Sequence, residues 1–235
     1  MAMNLGGFEK YSFIDYPGCI SSVVFTMGCN FHCPYCHNPE LVQPADNGPA
    51  APVSEDDILV FLEKRRKYVD GVVITGGEPF LHPGLPEFCR KIKALGLLVK
   101  IDTNGSNPDM LADLIPSGLV DYIAMDIKTD PDRYIPLITA GIDPGRIRKS
   151  IDTVIGSGLP HEFRTTCVQP IVDEAAMHVI ASLVQGASLY ALQVFRNEKV
   201  LDPAFFKQHP VQMPAAAIEA FKSILAPSVK HCIIR

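Results

Sequence analysis

The sequence predicts an α/β protein with a mostly parallel sheet, and three observations support this class. Short apolar runs such as "SSVVFTM" (21–27) and "GVVIT" (71–75) indicate buried strands. Segments with helical periodicity, such as 54–69, lie between these runs. The chain has 235 residues, of which 47% are hydrophobic, and this is enough to bury a full core.

The predicted elements alternate along the chain. The first helix is expected to follow Ser54, because a serine followed three residues later by Asp57 is a capping pattern. The stretch 43–52 is expected to be a surface loop. Strands are predicted at 21–27, 71–75, 97–101, 120–125, 162–168, 189–195 and 229–235. Helical segments are predicted at 54–69, 85–95, 108–115, 130–140, 146–157, 174–185 and 214–225.

Repeated strand–helix units predict parallel strand pairs joined by right-handed crossovers. Spacing alone leaves open a complete (β/α) barrel, a partial one and an open doubly wound sheet. The net charge is -5, and the basic clusters are short, which argues against a nucleic-acid partner. The start lacks the pattern of a secretory signal, and no apolar run approaches the ~20 residues of a membrane span. A cytoplasmic protein is therefore expected.

Three of the seven cysteines lie in one loop, 28–40: Cys29, Cys33 and Cys36. Three thiolates can hold three irons of a [4Fe-4S] cluster and leave the fourth iron for an exogenous ligand. A zinc site completed by His32 or His37 is the alternative, although structural zinc usually joins two separated ligand pairs. The spacing favours the cluster. The remaining cysteines are expected to be small buried hydrophobic residues: Cys19, Cys89, Cys167 and Cys232.

Four polar motifs directly follow or close four successive predicted strands. They are the cysteine loop, "GGEP" (76–79), "DTNG" (102–105) and "MDIK" (125–128). Taken singly, the glycine and asparagine motifs could be turns, and Asp126 with Lys128 could be a surface ion pair. The carboxyl ends of parallel strands share one rim, so together the motifs predict a common cavity.

The spacing Cys29-x3-Cys33-x2-Cys36, with Tyr35 before the third cysteine and "GGEP" later, resembles the signature of the radical S-adenosylmethionine (radical SAM) superfamily. Within it, "FIDYPG" (13–18), "MGCNFHCPYCHNPEL" (27–41) and the later motifs resemble glycyl-radical-enzyme activases, above all activating proteins of anaerobic ribonucleoside-triphosphate reductase. The resemblance implies a partial (β/α)6-type TIM-like barrel, with 1–235 as a single domain. Beyond about residue 130 the resemblance rests only on the alternation of strands and helices. From about residue 160 onward, no sequence motif of the family can be assigned.

The resemblance also implies roles for individual residues. The cluster would be ligated by Cys29, Cys33 and Cys36. SAM would be bound by Tyr35 near the adenine, by Gly76, Gly77 and Glu78 at the amino group, by Asp102 and Asn104 at the amino group and ribose, and by Lys128 at the carboxylate. Weaker candidates for a monovalent-cation site are Asp102, Thr103 and Asp126. Asp15 would face the substrate, and where the family often has a basic residue after "YPG" this chain has Cys19.

Three further side chains have open roles. His37 is expected to hydrogen-bond near the cluster and not to ligate it, because a fourth protein ligand would block SAM. Arg164 and Arg196 lie on later strands, where each could reach the SAM carboxylate or form a structural ion pair.

The implied activity is reductive cleavage of SAM and generation of a glycyl radical on a partner protein, anaerobic ribonucleotide reductase. A flavodoxin or ferredoxin would supply the electron, and neither nucleic acid nor a membrane is expected as a partner. The alternatives are an activase of another glycyl-radical enzyme, a small-molecule radical SAM enzyme, and a zinc-stabilised binding module without catalysis.

Overall fold

Strands and helices alternate along the described chain. The computed structural model describes residues 3–42, 53–196, 199–208 and 212–235. The strands are β1 Leu5–Ser12, β2 Ser21–Thr26, β3 Gly71–Gly76, β4 Leu98–Thr103, β5 Tyr122–Asp126, β6 His161–Cys167, β7 Ala187–Val194 and β8 Val229–Ile234. The helices are α1 Pro39–Val42, α2 Glu55–Arg65, α3 Leu85–Ala94, α4 Pro108–Leu114, α5 Tyr134–Leu137, α6 Pro144–Gly156, α7 Glu174–Leu183, α8 Pro203–Gln208 and α9 Ala215–Leu225. The sheet contains all eight strands in chain order.

The chain divides into two compact units. The first unit comprises Met1–Asn30, Pro39–Thr103 and Asp109–Ile123, and the second comprises Phe31–Asn38, Asn104–Pro108 and Ala124–Arg235, each within the described residues. The single-domain expectation stays a prediction, and the two units are described separately.

The first unit is built on strands β1 to β4. β1 is antiparallel to β2, and β2 is parallel to β3, with Ser21 opposite Gly71 and Thr26 opposite Gly76. β3 is parallel to β4, with Ile74 opposite Ile101. Since Thr26 and Gly76 are the last residues of neighbouring parallel strands, the segments that follow them start at the same edge of the sheet. This confirms the parallel pairing predicted for these strands.

Apolar helix faces cover these strands. Helix α2 begins after Ser54, whose hydroxyl accepts a hydrogen bond from the Asp57 amide, as the capping pattern predicts. Helix α3 buries Leu85, Phe88, Cys89 and Ile92, while its charged residues stay at least partly exposed. Full burial of a side chain such as Phe88 contributes roughly 1.5–3 kcal/mol.

The second unit contains strands β6 to β8. β6 pairs with β7 and β7 with β8, both in parallel, with Cys167 opposite Val194 and Leu192 opposite Ile234. Helix α6 buries Ile147, Ile151 and Val154, and α9 buries Ile218, Phe221 and Leu225. This pattern of strand, helix and strand again follows the sequence prediction.

The sequence prediction missed β1, α1 and α8 and displaced several element ends by one to a few residues. The predicted surface loop at 43–52 lies outside the described residues. Within the described residues, no helix has both the length and the apolar character needed to cross a bilayer.

Candidate functional site

The start of the cysteine loop is fixed by backbone hydrogen bonds in the first unit. The Gly28 amide donates to the Leu41 carbonyl at 2.7 Å, which closes the base of the loop. The Gly77 amide donates to the Thr26 carbonyl at 2.9 Å, and the Glu78 amide donates to the Gly28 carbonyl at 2.8 Å. The residue immediately before Cys29 is therefore tied to the "GGEP" turn.

The two glycines of that turn permit this contact. Gly76 has a φ of +111°, and a Cβ atom there would lie 2.4 Å from the Thr26 nitrogen. A Cβ atom on Gly77 would lie 1.9 Å from the Gly28 carbonyl oxygen. No real side chain tolerates such distances, so only glycine lets the two backbone segments approach this closely. The glycines thus shape the protein backbone itself, and their predicted contact with SAM stays a prediction.

Glu78 is fully buried, at 0% exposure. Its Oε1 atom accepts hydrogen bonds from the Phe80 amide at 3.0 Å and from the Thr103 hydroxyl at 2.8 Å. The carboxylate therefore caps the short turn Pro79–Leu81 and links the end of β3 to the end of β4. The sequence suggested Thr103 as a weaker candidate ligand of a monovalent cation. In the structure, the Thr103 hydroxyl donates a hydrogen bond to Glu78.

Asp102 and Lys100 lie two residues apart on β4, so their side chains lie on the same face of the strand. The Lys100 Nζ atom is 2.5 Å from Asp102 Oδ1, and the lysine side chain is 1% exposed. Lys100 was not among the site residues predicted from the sequence. The available signal was a lysine inside the apolar strand "LVKIDT", two positions before the aspartate.

Asp15 lies at the other end of the strands from Gly76. Ser12, three residues before it, pairs with Ser21, the first residue of β2. Asp15 is exposed, and its carboxylate accepts a hydrogen bond from the Ser12 hydroxyl. The structure of the first unit does not bring Asp15 to the edge where the glycine turn lies, and its substrate-facing role stays a prediction.

The middle of the cysteine loop belongs to the second unit. There the His32 amide donates to the Ile138 carbonyl at 2.8 Å, and the Asp202 amide donates to the Pro34 carbonyl at 3.0 Å. The Cys36 amide donates to the Cys33 carbonyl at 3.0 Å, so these two cysteines share one turn. Cys33 is 7% exposed and Cys36 is partly exposed. The structure therefore brings two of the three predicted cluster ligands together, and Cys29 belongs to the first unit.

Tyr35 lies inside the same turn and is 4% exposed. Its hydroxyl has no hydrogen-bond partner among the described residues. Burial, with the nearby Cys33, raises the pKa of Tyr35 well above its ordinary value, so the phenol is neutral. Its ring packs edge-on against Phe195, with the centroids 6.5 Å apart. A buried hydroxyl without a protein partner is one place where a bound ligand would fit.

Asp126 is the last residue of β5, and its carboxylate forms ion pairs with two basic side chains. Arg164 Nε is 2.7 Å from its Oδ1 atom, and Lys128 Nζ is 2.9 Å from its Oδ2 atom. Burial opposes ionisation of Asp126, but the two positive charges outweigh it and hold the pKa of Asp126 below its ordinary value. The Lys128 pKa is lowered by burial and raised more strongly by Asp126, so Lys128 stays charged.

A second carboxylate extends this charge network. Buried Glu162 accepts a hydrogen bond from Arg235 Nη2 at 2.8 Å and lies 3.8 Å from Arg164 Nη1. At Asp126 itself, Arg164 and Lys128 carry two positive charges against one negative charge. The surroundings of Asp126 therefore have one surplus positive charge and can receive an anionic group.

The remaining predicted residues lie in separate places in the second unit. Asn104 Oδ1 accepts a hydrogen bond from the Ser106 amide at 2.9 Å, which forms a local turn. His37 Nδ1 lies 3.0 Å from the Lys199 carbonyl oxygen, so it is bound to the backbone of a later loop. Arg196 lines a cleft of about 440 Å³ together with Thr166 and Gln193.

The three candidate ligands of a monovalent cation, Asp102, Thr103 and Asp126, all lie in the described part of the chain. Among the described residues, no three His, Cys, Asp or Glu side chains are grouped to hold a single metal ion. Asp102 pairs with Lys100, and Asp126 pairs with Arg164 and Lys128. Protein cations therefore already pair with both carboxylates, and the monovalent-cation site at Asp102, Thr103 and Asp126 stays a prediction.

Comparison with known families and proteins points to one group. The sequence profile of the radical SAM superfamily matches residues 23–183. A protein of Methanocaldococcus jannaschii, named as a candidate glycyl-radical enzyme activating enzyme, is 36% identical over 208 residues, covering 86% of this chain and 84% of that protein. A pyruvate formate-lyase-activating enzyme of Staphylococcus epidermidis is 33% identical over 146 residues, covering 57% of each chain.

Solved structures support the fold. Streptococcus suis SuiB bound to S-adenosylmethionine superposes with a TM-score of 0.64 at 15% identity, over 89% of this chain and 48% of that one. Methylornithine synthase superposes with a TM-score of 0.61 at 13% identity, over 87% of this chain and 61% of that one. This chain thus spans about half the length of SuiB. The likeness confirms the predicted α/β partial barrel.

Proposed function

Since this chain belongs to the radical SAM superfamily, we propose that it activates a glycyl-radical enzyme, and that its partner is anaerobic ribonucleoside-triphosphate reductase. The observation that carries the activase assignment is the 36% identity to a candidate activating enzyme over 86% of the chain, while the choice of partner rests on the motif resemblance of residues 13–18 and 27–41. That likeness extends well beyond the cysteine motif. It favours a cluster-dependent enzyme over a zinc-stabilised binding module.

Members of the superfamily use a [4Fe-4S] cluster and SAM, which together supply one-electron reductive cleavage of SAM and a radical able to remove hydrogen from carbon. The donor set of this chain fits that cluster. Cys29, Cys33 and Cys36 offer three thiols for four irons, and Cys33 and Cys36 share one turn. The Gly28–Glu78 hydrogen bond fixes the chain immediately before Cys29.

We assign the SAM carboxylate to the charge network around Lys128. Lys128 and Arg164 share Asp126, which leaves one surplus positive charge at this carboxylate. A carboxylate arriving there would meet charged donors that are already held in place, which favours binding. Tyr35, whose buried hydroxyl has no hydrogen-bond partner in the part of the chain that the structure describes, would lie beside the bound cofactor.

The substrate in this proposal is a protein. A backbone glycine of the partner would be brought to the cofactor, and the chain's own residues would orient SAM and exclude water. A flavodoxin or ferredoxin would deliver the electron, and the reaction would take place in the cytoplasm. The net charge of -5 argues against a nucleic-acid partner.

A second candidate is activation of a different glycyl-radical enzyme. The 33% identity to a pyruvate formate-lyase-activating enzyme over 57% of this chain favours it. The two candidates share the chemistry and differ only in the partner.

The test is anaerobic reconstitution with iron and sulfide, followed by reduction with SAM and each candidate partner. A brown protein absorbing near ~400 nm is expected. Electron paramagnetic resonance should then show a glycyl doublet with ribonucleotide reductase and none with pyruvate formate-lyase. The reverse pattern would establish the second candidate. SAM cleavage without any glycyl doublet would contradict activation of either partner.

Two cysteine variants supply the matched control. Cys36→Ala is expected to lose the chromophore and SAM cleavage. Cys232→Ala, which changes a partly buried cysteine on β8, is expected to retain both. A Cys36→Ala protein that keeps the chromophore and SAM cleavage as fully as Cys232→Ala would remove Cys36 from the ligand set.

A further inference from the structure

Lys100 has an environment that is unusual for a lysine. Its side chain is 1% exposed, and it lies opposite Val73 in the pairing of β3 with β4. Val73 packs with Tyr16 and Val23 in a buried apolar cluster. Lysine is almost never fully buried unless it is paired, so this ammonium needs a fixed partner.

That partner is Asp102. Lys100 Nζ lies 2.5 Å from Asp102 Oδ1, and it also lies 5.8 Å from the centroid of the Tyr122 ring. The carboxylate supplies the opposite charge, and the ring face adds a weaker cation–π attraction. Since both residues are on one rigid strand, the pair is preorganised.

We propose that Lys100 is the resident counter-cation of Asp102, so that Asp102 is neutralised and held without any bound monovalent metal ion. This inference revises the cation site that the sequence suggested at Asp102 and Thr103. Thr103 is committed to Glu78 as a donor, and Asp102 is committed to a protein ammonium. A metal ion placed on the same carboxylate would bring a second positive charge next to Lys100.

Lys100 is a positioning residue in this scheme, because it acts through Asp102. The inference rests on the proposed function only where it gives Asp102 a contact with SAM. The charge pair itself exists in the apoprotein and can be tested there.

The first test is thermal unfolding of the apoprotein in NaCl, KCl or NH4Cl against choline chloride at equal ionic strength. The wild-type Tm is expected to agree within about 1 °C in all four salts, since no specific ion binds. Lys100→Met leaves the Asp102 carboxylate without its counter-ion. Its Tm is expected to be lower and to rise by at least ~2 °C in KCl or NH4Cl relative to choline chloride, because ligands that bind only the folded state stabilise it.

Two controls keep the result specific. Lys93→Met removes a lysine that pairs with Asp121 in a partly exposed position, and it should show no salt-specific rise. The double variant Lys100→Met with Asp102→Asn removes both charges, and its salt-specific rise should disappear. A wild-type Tm raised specifically by Na⁺ or K⁺ would overturn the proposal without needing any variant. A Lys100→Met protein whose Tm responds no more than that of the wild type would overturn it as well.

A second readout separates this inference from the proposed function. The reconstituted wild-type enzyme is expected to cleave SAM at the same rate in choline chloride and KCl. A rate at least 5-fold higher in KCl would overturn the inference and leave the activase proposal intact. If no SAM is cleaved in any salt, the proposed function fails, and the apoprotein measurements still decide the role of Lys100.

Discussion

The two units hold their candidate site residues in different ways. In the first unit, main-chain atoms meet directly, and Gly77 lies so close to Gly28 that no side chain fits between them. In the second unit, charged side chains from separate strands meet at Asp126. The first arrangement depends on the absence of a side chain at Gly77, and the second depends on the balance of charges at Asp126. The two units should therefore respond differently to substitution.

The largest effect is expected for Gly77→Ala. The new methyl group would lie 1.9 Å from the Gly28 carbonyl oxygen, so the backbone must move. We expect a loss of about 3 kcal/mol in the free energy of unfolding, at the upper end of overpacking effects, as measured by urea denaturation. SAM cleavage should fall together with stability.

Gly96→Ala is the matched control for that substitution. Gly96 also has a positive φ, +78°, but no atom lies within 4 Å of an added Cβ. Only the left-handed backbone conformation is penalised, by about 1 kcal/mol. If the two variants lose equal stability, backbone conformation explains both, and the close approach at Gly77 is unimportant.

The next effect is expected for Asp126→Asn. Arg164 and Lys128 would lose the charge they share, and unpaired buried cations are costly. The side chain of Asp126 is about a quarter exposed, so we expect a loss of about 2 kcal/mol, below the range for a fully buried pair. Urea denaturation at pH 7 measures it.

The stability lost in the Asp126→Asn variant is expected to depend on pH. Burial opposes ionisation of Asp126, but Arg164 and Lys128 hold its pKa below the ordinary value. Its contribution to stability is therefore complete above the ordinary pKa of about 3.9 and declines as the pH falls from there toward the folded-state pKa. The stability difference between wild type and Asp126→Asn should shrink between pH 7 and pH 3. A constant difference over that range would contradict the charge balance described above.

Thr103→Val should have a smaller effect. The change removes the hydroxyl that donates to the buried Glu78 carboxylate, which keeps its bond from the Phe80 amide. Losing one of these hydrogen bonds should cost about 1–2 kcal/mol in the free energy of unfolding. Thr103→Ser, which retains the hydroxyl, should keep most of that stability. If the serine variant is as unstable as the valine variant, the hydrogen bond is not the cause.

The smallest effect is expected for Arg148→Ala. Arg148 Nη2 lies 2.6 Å from Asp132 Oδ2, but both side chains are at least one-third exposed. Solvent screens such a pair, so the loss should be about 0–1 kcal/mol by urea denaturation. A loss as large as that of Asp126→Asn would show that burial does not distinguish the two ion pairs.

The local sequence pattern was enough to predict most of the strands and helices. Gly76 ends β3 and Asp126 ends β5, as the motif positions suggested. β1 escaped prediction because "LGGFEKYS" mixes glycine, charge and apolar residues without a clear period.

The contacts of the site were harder to predict, because most of them join residues far apart in the sequence. Glu78 binds Thr103, 25 residues later, and Asp126 binds Arg164, 38 residues later. Neither partner can be found from spacing alone. Lys100 was within reach of prediction, since it precedes Asp102 by two positions on a strand.

The hydrogen bond between the Gly28 amide and the Leu41 carbonyl has a consequence for engineering. Both groups belong to the main chain, so the closure depends on the backbone, which at Gly28 has a φ of +88° and therefore favours glycine, and not on the side chains between the two positions. We expect that the intervening segment can be exchanged for one from another protein while its anchoring points are preserved. Chimeras spliced at these two positions should thus fold more readily than chimeras spliced inside the segment.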